Sequence, residues 1–276
     1  MKIYISCDME GVAGLVDWQQ VSSPGPEYEM GRRLLLAEVN AAIDGAMEAG
    51  ADEFLVNDSH GAMQNLPPDE IHGQAEYLSG RHKTFRMMEG LDESFAAIFF
   101  IGYHGSVDGP SSVMSHSYTP ATFMAAEING TMVGEGGINA LLAAHFQIPI
   151  VLVSGDQHTA TQLEAICPGV TAAVVKYSVT RLAARNLHPV RAREVIKEAA
   201  RSSLQRLASI AAPHFAPETV LRLRMRNADL AEVATVITDV RRISDTEIEV
   251  GGKGPFEVFR NFTSVRHIAL ALAQER

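Results

Sequence analysis

Four short apolar runs of this chain all stop at polar or charged residues, and that repetition restricts the fold more than any other feature. Lys2-Ile3-Tyr4-Ile5-Ser6-Cys7 runs into Asp8-Met9-Glu10-Gly11, and Phe54-Leu55-Val56 into Asn57-Asp58-Ser59-His60. Residues 96–101 run into Gly102-Tyr103-His104, and residues 149–153 into Ser154-Gly155-Asp156. Near-continuous apolar segments of this length mark strands buried on both faces, and so a mostly parallel sheet covered by helices. Between the first two runs, Leu34, Leu35, Val39, Ala42, Ile43, Ala46 and Met47 keep the helical period. That spacing predicts a helix over 30–49 with Gly50 as its stop.

The remaining signals complete a βαβ rhythm. Residues 13–30 read as irregular around Ser22-Ser23-Pro24-Gly25-Pro26. Residues 122–133 read as a hairpin turning at Asn129-Gly130. A helix opens at Gly134-Glu135-Gly136-Gly137 and ends near Phe146, 172–177 reads as a strand, and 182–211 as helical. After Pro213 and Pro217 the character changes: Leu221-Arg222-Leu223-Arg224-Met225 alternates as a strand with one wet face, Ile248-Glu249-Val250 is another, and a helix spans 255–274. The expected class is α/β: a three-layer, mostly parallel sheet flanked by helices forms the larger domain, 1–211. A smaller α+β C-terminal part, 212–276, is expected to pack on it.

Composition narrows the function. Of 276 residues, 46% are hydrophobic and 20% charged, an ordinary globular balance. No apolar run reaches ~18 residues, so no membrane span is expected. The chain opens on a strand rather than a basic-then-apolar leader, and its two cysteines, Cys7 and Cys167, form no framework. A cytoplasmic protein without a signal peptide is expected. The net charge of −10 disfavours nucleic acid and anionic membranes as partners. The basic residues between 181 and 206 read as a solvated helix face.

In an open α/β sheet, sites gather at the carboxyl ends of the strands. Asp8 and Glu10 end the first strand, Asp58 and His60 the second, His104 the third, and Glu135 opens a later helix. Each has a plain structural reading: caps, surface acids, a hydrogen-bonded histidine, or an acid at a helix start. Their coincidence at successive strand ends points instead to a metal. Asp8, Glu10, His60, His104 and Glu135 form a mixed N/O set suited to zinc, with manganese or cobalt as alternatives. Five ligands exceed the three protein ligands of a mononuclear catalytic zinc site and suit two ions, with Asp8 as the best bridge. Asp58 is left to cap a turn or orient a ligand histidine. His116, in Val113-Met114-Ser115-His116-Ser117, hangs on a Gly/Ser/Pro-rich loop over the same edge and is a candidate acid/base or oxyanion donor. The other histidines read as non-catalytic.

These segments resemble the zinc-dependent D-aminopeptidases, the dipeptide-operon type of metallopeptidase. Asp8-Met9-Glu10-Gly11, Val56-Asn57-Asp58-Ser59-His60, Gly102-Tyr103-His104, Val113-Met114-Ser115-His116-Ser117 and Val133-Gly134-Glu135 through Asn139-Ala140 appear in family order. The likeness is good over 1–180 and loose after 212. It implies metal ligands at Asp8, Glu10, His60, His104 and Glu135, two zinc ions per subunit, and a catalytic His116, which the family is described as using as a nucleophile. It also implies short peptides as substrates, D-amino-acid peptides among them, and a ring-shaped homodecamer. The same metals could serve a phosphoester or a non-peptide amide, and few cations near the motifs argue against phosphate. A non-enzymatic reading, with residues 134–137 cradling a nucleotide, lacks the Lys-Ser/Thr of a Walker loop.

Overall fold

The computed structural model describes residues 1–275. A seven-stranded sheet forms the centre, in the order β3-β2-β1-β4-β7-β8-β9. Its strands are β1 (Lys2–Cys7), β2 (Glu53–Asp58), β3 (Ala75–Leu78), β4 (Ala97–Tyr103), β7 (Ile150–Asp156), β8 (Thr171–Thr180) and β9 (Ala183–Asn186). All pairs are parallel except β8 with β9. The expected mostly parallel sheet is therefore what the chain forms. The helices are α1 (Trp18–Val21), α2 (Tyr28–Glu48), α3 (Glu135–Phe146), α4 (Gln157–Glu164), α5 (Pro189–Gln205), α6 (Ala228–Ala234) and α7 (Pro255–Gln274).

Side chains alternate across the sheet as the two-residue period requires. Ile3, Ile5, Phe99 and Ile101 pack with Leu35, Val39 and Ile43 of α2 and Ile196 of α5. Tyr4, Ile98, Phe100 and Tyr103 pack with Leu141 of α3 and Phe259 and Phe262 of α7. Every residue of β4 is buried, which is why its run is unbroken in the sequence. Each such side chain contributes about 1.5–3 kcal/mol.

A second, antiparallel sheet has the order β11-β12-β10-β5-β6. It joins β5 (Phe123–Ile128) and β6 (Thr131–Met132) to β10 (Leu221–Met225), β11 (Val240–Arg242) and β12 (Glu247–Val250). Strands from both sides of residue 212 thus share one sheet. The hairpin between β5 and β6 turns at Asn129 (φ 48°) and Gly130 (φ 86°), the paired positive φ of a tight hairpin turn. Among the described residues no helix is long and apolar enough to cross a membrane.

The helix expected over 182–211 is shorter. His188 caps α5 and Pro189 opens it, and a proline at the first helical position cannot continue a helix backwards. Residues 183–186 instead add β9 to the edge of the sheet, so Arg181 and Arg185 leave the helix face assigned to them. The irregular 13–30 stretch contains α1, fixed by a capping box between Asp17 and Gln20. Strand β3 was not expected: its pattern of partly exposed Ala-Glu-Tyr-Leu carries little signal.

Strand order reverses at β1, with β2 on one side and β4 on the other, and a crevice opens at the carboxyl ends there. Two glycines let the chain exits cross. Gly102 has φ +72°, and a Cβ on it would lie 2.2 Å from the Asp8 carbonyl oxygen; a Cβ on Gly11 would lie 1.9 Å from that of Tyr103. The Gly11 amide donates to the Gly102 carbonyl at 2.8 Å. Both neighbours are backbone and cannot swing aside. Gly102→Ala is expected to cost about 3 kcal/mol, from left-handed strain plus overpacking. Denaturant titration checks this; a variant with wild-type stability would overturn it.

Candidate metal centre

The in-register pairing of Cys7 with Asp58 and with Ile101 brings the ends of β1, β2 and β4 level. Asp8 and Glu10 leave β1, His60 follows β2, His104 follows β4, and Glu135 is the first residue of α3. All five expected residues meet in the crevice. His60 Nδ1 lies 2.9 Å from Asp8 Oδ1 and 3.0 Å from Glu10 Oε2. His104 Nε2 lies 3.6 Å from Asp8 Oδ2 and 3.4 Å from Glu135 Oε1. His116 also arrives, its Nε2 3.3 Å from Glu135 Oε1 and its ring stacked on His104 at 4.2 Å between centroids.

The orientation of the imidazoles is set by backbone carbonyls. His60 Nε2 donates to Val21 at 2.7 Å, His104 Nδ1 to Gly105 at 2.9 Å, and His116 Nδ1 to Met114 at 3.0 Å. A carbonyl only accepts, so those nitrogens carry the protons. The other nitrogen of each ring is left with its lone pair aimed at the carboxylates. Lone pairs facing carboxylates in a buried crevice need a cation between them, a proton or a metal ion. His104 Nε2 and Glu10 Oε2 are buried without a hydrogen-bond partner. Glu10 Oε2 is close to His60 but lacks hydrogen-bond alignment, as expected of ligand atoms awaiting an ion. The donor set fits zinc, and the hydrogen bonds behind the imidazoles are those that commonly hold zinc-ligating histidines.

Three groups of ligand atoms come within 4.8 Å of one another: Asp8–Glu10–His60, Asp8–His104–Glu135 and Glu10–His104–His116. Asp8 belongs to two, and its two oxygens face different imidazoles. The crowding shows in the protonation of these groups. Burial, then the Glu10 carboxylate, raises Asp8 to about 7. Burial would lower the His60 imidazole, but Glu10 and Asp8 override it and hold it well above its usual value. His116 goes the other way, lowered by burial and by His104 beside it.

Asp58 does not join the cluster. Its carboxylate accepts from the amides of Asn65 and Leu66 and from Asn65 Nδ2, which also donates to the His60 carbonyl. It closes the turn that carries His60, the capping alternative. Asp156 does the same for the His116 loop: it accepts from Ser112 Oγ at 2.6 Å and the Val113 amide at 3.0 Å while capping α4. Asn139 and Tyr103 are buried in a relay from Ser6 through Tyr103 and Asn139 to the Tyr118 hydroxyl. The relay steadies the crevice floor, and Tyr118 gives its amide to Glu135 Oε1 at 2.7 Å.

Four residues that hold or line the crevice went unforeseen. Lys176 of β8 is buried and donates to the carbonyls of Glu10 and Leu15, both at 2.6 Å, fixing the loop that carries Glu10. Glu38 of α2 accepts the Ala13 amide at 2.9 Å from the other side. Arg86 and Arg266 line the cleft beside the metal residues, so the expectation of few cations there is corrected.

The chain is similar to known proteins. A family model described as D-aminopeptidase matches residues 1–264. A D-aminopeptidase of Bacillus subtilis (strain 168) is 34% identical over 273 residues, covering 98% of each chain. The solved structure of the Zn-dependent D-aminopeptidase DppA from Bacillus subtilis, described as a self-compartmentalizing protease, superposes with a TM-score of 0.93, again at 34% identity over 98% of each chain. The likeness therefore runs well past 212, beyond the stretch in which motifs were legible.

Proposed function

The chain belongs to the D-aminopeptidase family, and on that premise we propose that it holds two zinc ions per subunit at Asp8, Glu10, His60, His104 and Glu135 and releases the N-terminal residue of short peptides, D-amino-acid peptides in particular. The observation that carries the reading is the set of imidazoles locked by backbone carbonyls with their free nitrogens turned onto buried carboxylates. Asp8 is the shared ligand, because each of its oxygens faces a different histidine. When bound, zinc supplies Lewis acidity for the scissile carbonyl and makes water a nucleophile at neutral pH.

The chain's own groups do the rest. His116 Nε2 faces the cleft without a proton, since Nδ1 carries it. That tautomer favours taking a proton from the attacking water and returning it to the leaving amine, over donating to an oxyanion from the start. Glu135, 3.3 Å away, stabilises the imidazolium formed between those two transfers. Trp18, 5.7 Å from His116 between ring centroids, walls the cleft and limits water around the proton transfer.

The assembled form follows from the same family. A homo-oligomer, in the form of a cytoplasmic decameric ring with the 212–276 segment contributing to its contacts, is part of the proposal; it is supported by the self-compartmentalizing description of the solved relative.

Zinc quantification on purified protein, coupled to D-aminoacyl and L-aminoacyl p-nitroanilides and p-nitrophenyl phosphate, tests the reading. The expected outcome is two zinc equivalents with turnover of the D-aminoacyl substrates. Phosphatase activity without peptidase activity would move the centre to phosphoesters, and metal-free protein would defeat it.

A further inference from the structure

Two arginines share the cleft with the ligands and make no hydrogen bond or ion pair there. Arg86 opens the one-turn 3-10 helix at 86–88, and Arg266 lies on α7. They are only 8% and 7% exposed. Neither guanidinium makes a hydrogen bond or ion pair with any described residue, and the Nε of each is buried and unpartnered. A buried cation without a partner is costly and is retained where something else supplies the anion. Arg86 and Arg81 repel Arg266, and the attraction of Glu135 only partly offsets them; burial first, then Arg86, lowers Arg266 to about 10. Arg86 also holds φ +54°, a strained conformation for a residue with a side chain. Strain and desolvated charge together in one cleft are features of a ligand site.

The cleft measures about 250 Å³ and joins these arginines to Asp8, Glu10, His116 and Glu135. It falls below the range typical of drug-sized ligands, about 300–1,000 Å³, so it suits a ligand of few residues. A peptide whose N-terminal carbonyl lies at the acidic end presents its other terminus away from it. We propose that Arg86 and Arg266 form a carboxylate subsite that takes the free C-terminus of a di- or tripeptide. Guanidinium forks match a carboxylate in two parallel hydrogen bonds, which an uncharged amide cannot reproduce. The subsite makes the enzyme a reader of both peptide ends, and so restricts it to short chains. The proposal rests on the aminopeptidase reading and deepens it.

The test compares D-alanylglycine and D-alanylglycylglycine with their C-terminal amides on the zinc-loaded enzyme. The free acid is expected to be favoured in kcat/KM by about 100-fold for at least one length, mainly through KM. In Arg266→Met and in Arg86→Met that ratio should fall towards one, through a higher KM for the acid. Removing a buried unpaired cation should leave the melting temperature of the substrate-free Arg266→Met enzyme equal or raised. Equal handling of acids and amides by the wild-type enzyme would overturn the subsite, including the case in which an acidic side chain of a second copy covers the arginines. So would variants that melt earlier and lose acid and amide alike, which would make the arginines structural. Hydrolysis of D-aminoacyl p-nitroanilides with no acid preference sinks the subsite alone; absence of all peptidase activity sinks the aminopeptidase reading with it.

Discussion

Asp8→Ala is expected to abolish turnover and to bring zinc content from the proposed two equivalents per subunit to one or fewer. Asp8 Oδ1 faces His60 and Oδ2 faces His104, so one carboxylate serves two of the three groups of ligand atoms, Asp8–Glu10–His60 and Asp8–His104–Glu135. Truncation leaves Glu10–His60 on one side and His104–Glu135 on the other, two ligands each where three are the working minimum for a catalytic zinc. The several kcal/mol that metal catalysis supplies correspond to a loss of roughly 10⁴-fold in kcat/KM. Stability gives an independent reading with an unusual sign. Without metal, Asp8 is a buried acid beside Glu10, which together with desolvation raises it to about 7. Removing it relieves like-charge crowding, so the variant in chelator should melt no lower than wild-type protein in chelator. With zinc present the order reverses, because only the wild-type protein gains the full binding free energy. Two zinc equivalents retained in Asp8→Ala would end the bridging assignment, and a lower melting temperature in chelator would make Asp8 a structural residue.

The parts of this centre legible in the sequence are those written locally. A strand buried on both faces has an unbroken apolar run, and the first polar residues after it lie at the sheet edge by construction. Asp8, Glu10, His60 and His104 were therefore found together with the strands that carry them. Glu135 was found because the helix start that exposes it is marked by glycines. Arg266 was missed because it stands on a helix more than 100 residues further along, brought to the cleft by packing of α7 on α3. A signal existed: Arg266 continues the stripe of Phe259, Phe262 and Val265, and a cation on an apolar face needs a reason. Arg86, just ahead of Met87 and Met88, carries the same anomaly. Lys176 had no such mark, since a lysine in a strand near a sheet edge is ordinary until the loop that covers it is placed. The helix expected over 182–211 is too long for a local reason: Pro189 is a helix start signal, and residues 183–186 pair with β8 instead.

His116→Ala separates catalysis from metal holding. The loop around His116 is anchored independently of the ring: Asp156 holds Ser112 and Val113, and Arg181 donates to the Ser115 carbonyl at 3.0 Å. The variant should therefore fold normally and keep both zinc equivalents. Its kcat should fall by about 10²–10⁴-fold, the usual worth of a positioned acid/base, with KM little changed because the ring is needed for proton transfer rather than for holding substrate. The competing assignment is also on the page, since His116 shares a group of ligand atoms with Glu10 and His104. The difference is that His60 Nδ1 and His104 Nε2 each come within 4.0 Å of two carboxylates of the cluster, whereas His116 Nε2 comes that close only to Glu135 among the described residues. A loss of one zinc equivalent in His116→Ala would move the residue into the ligand set. Undiminished turnover would remove it from the mechanism. Loss of kcat with zinc intact places the residue in the chemistry and outside the ligand set, with its Nδ1 committed to Met114.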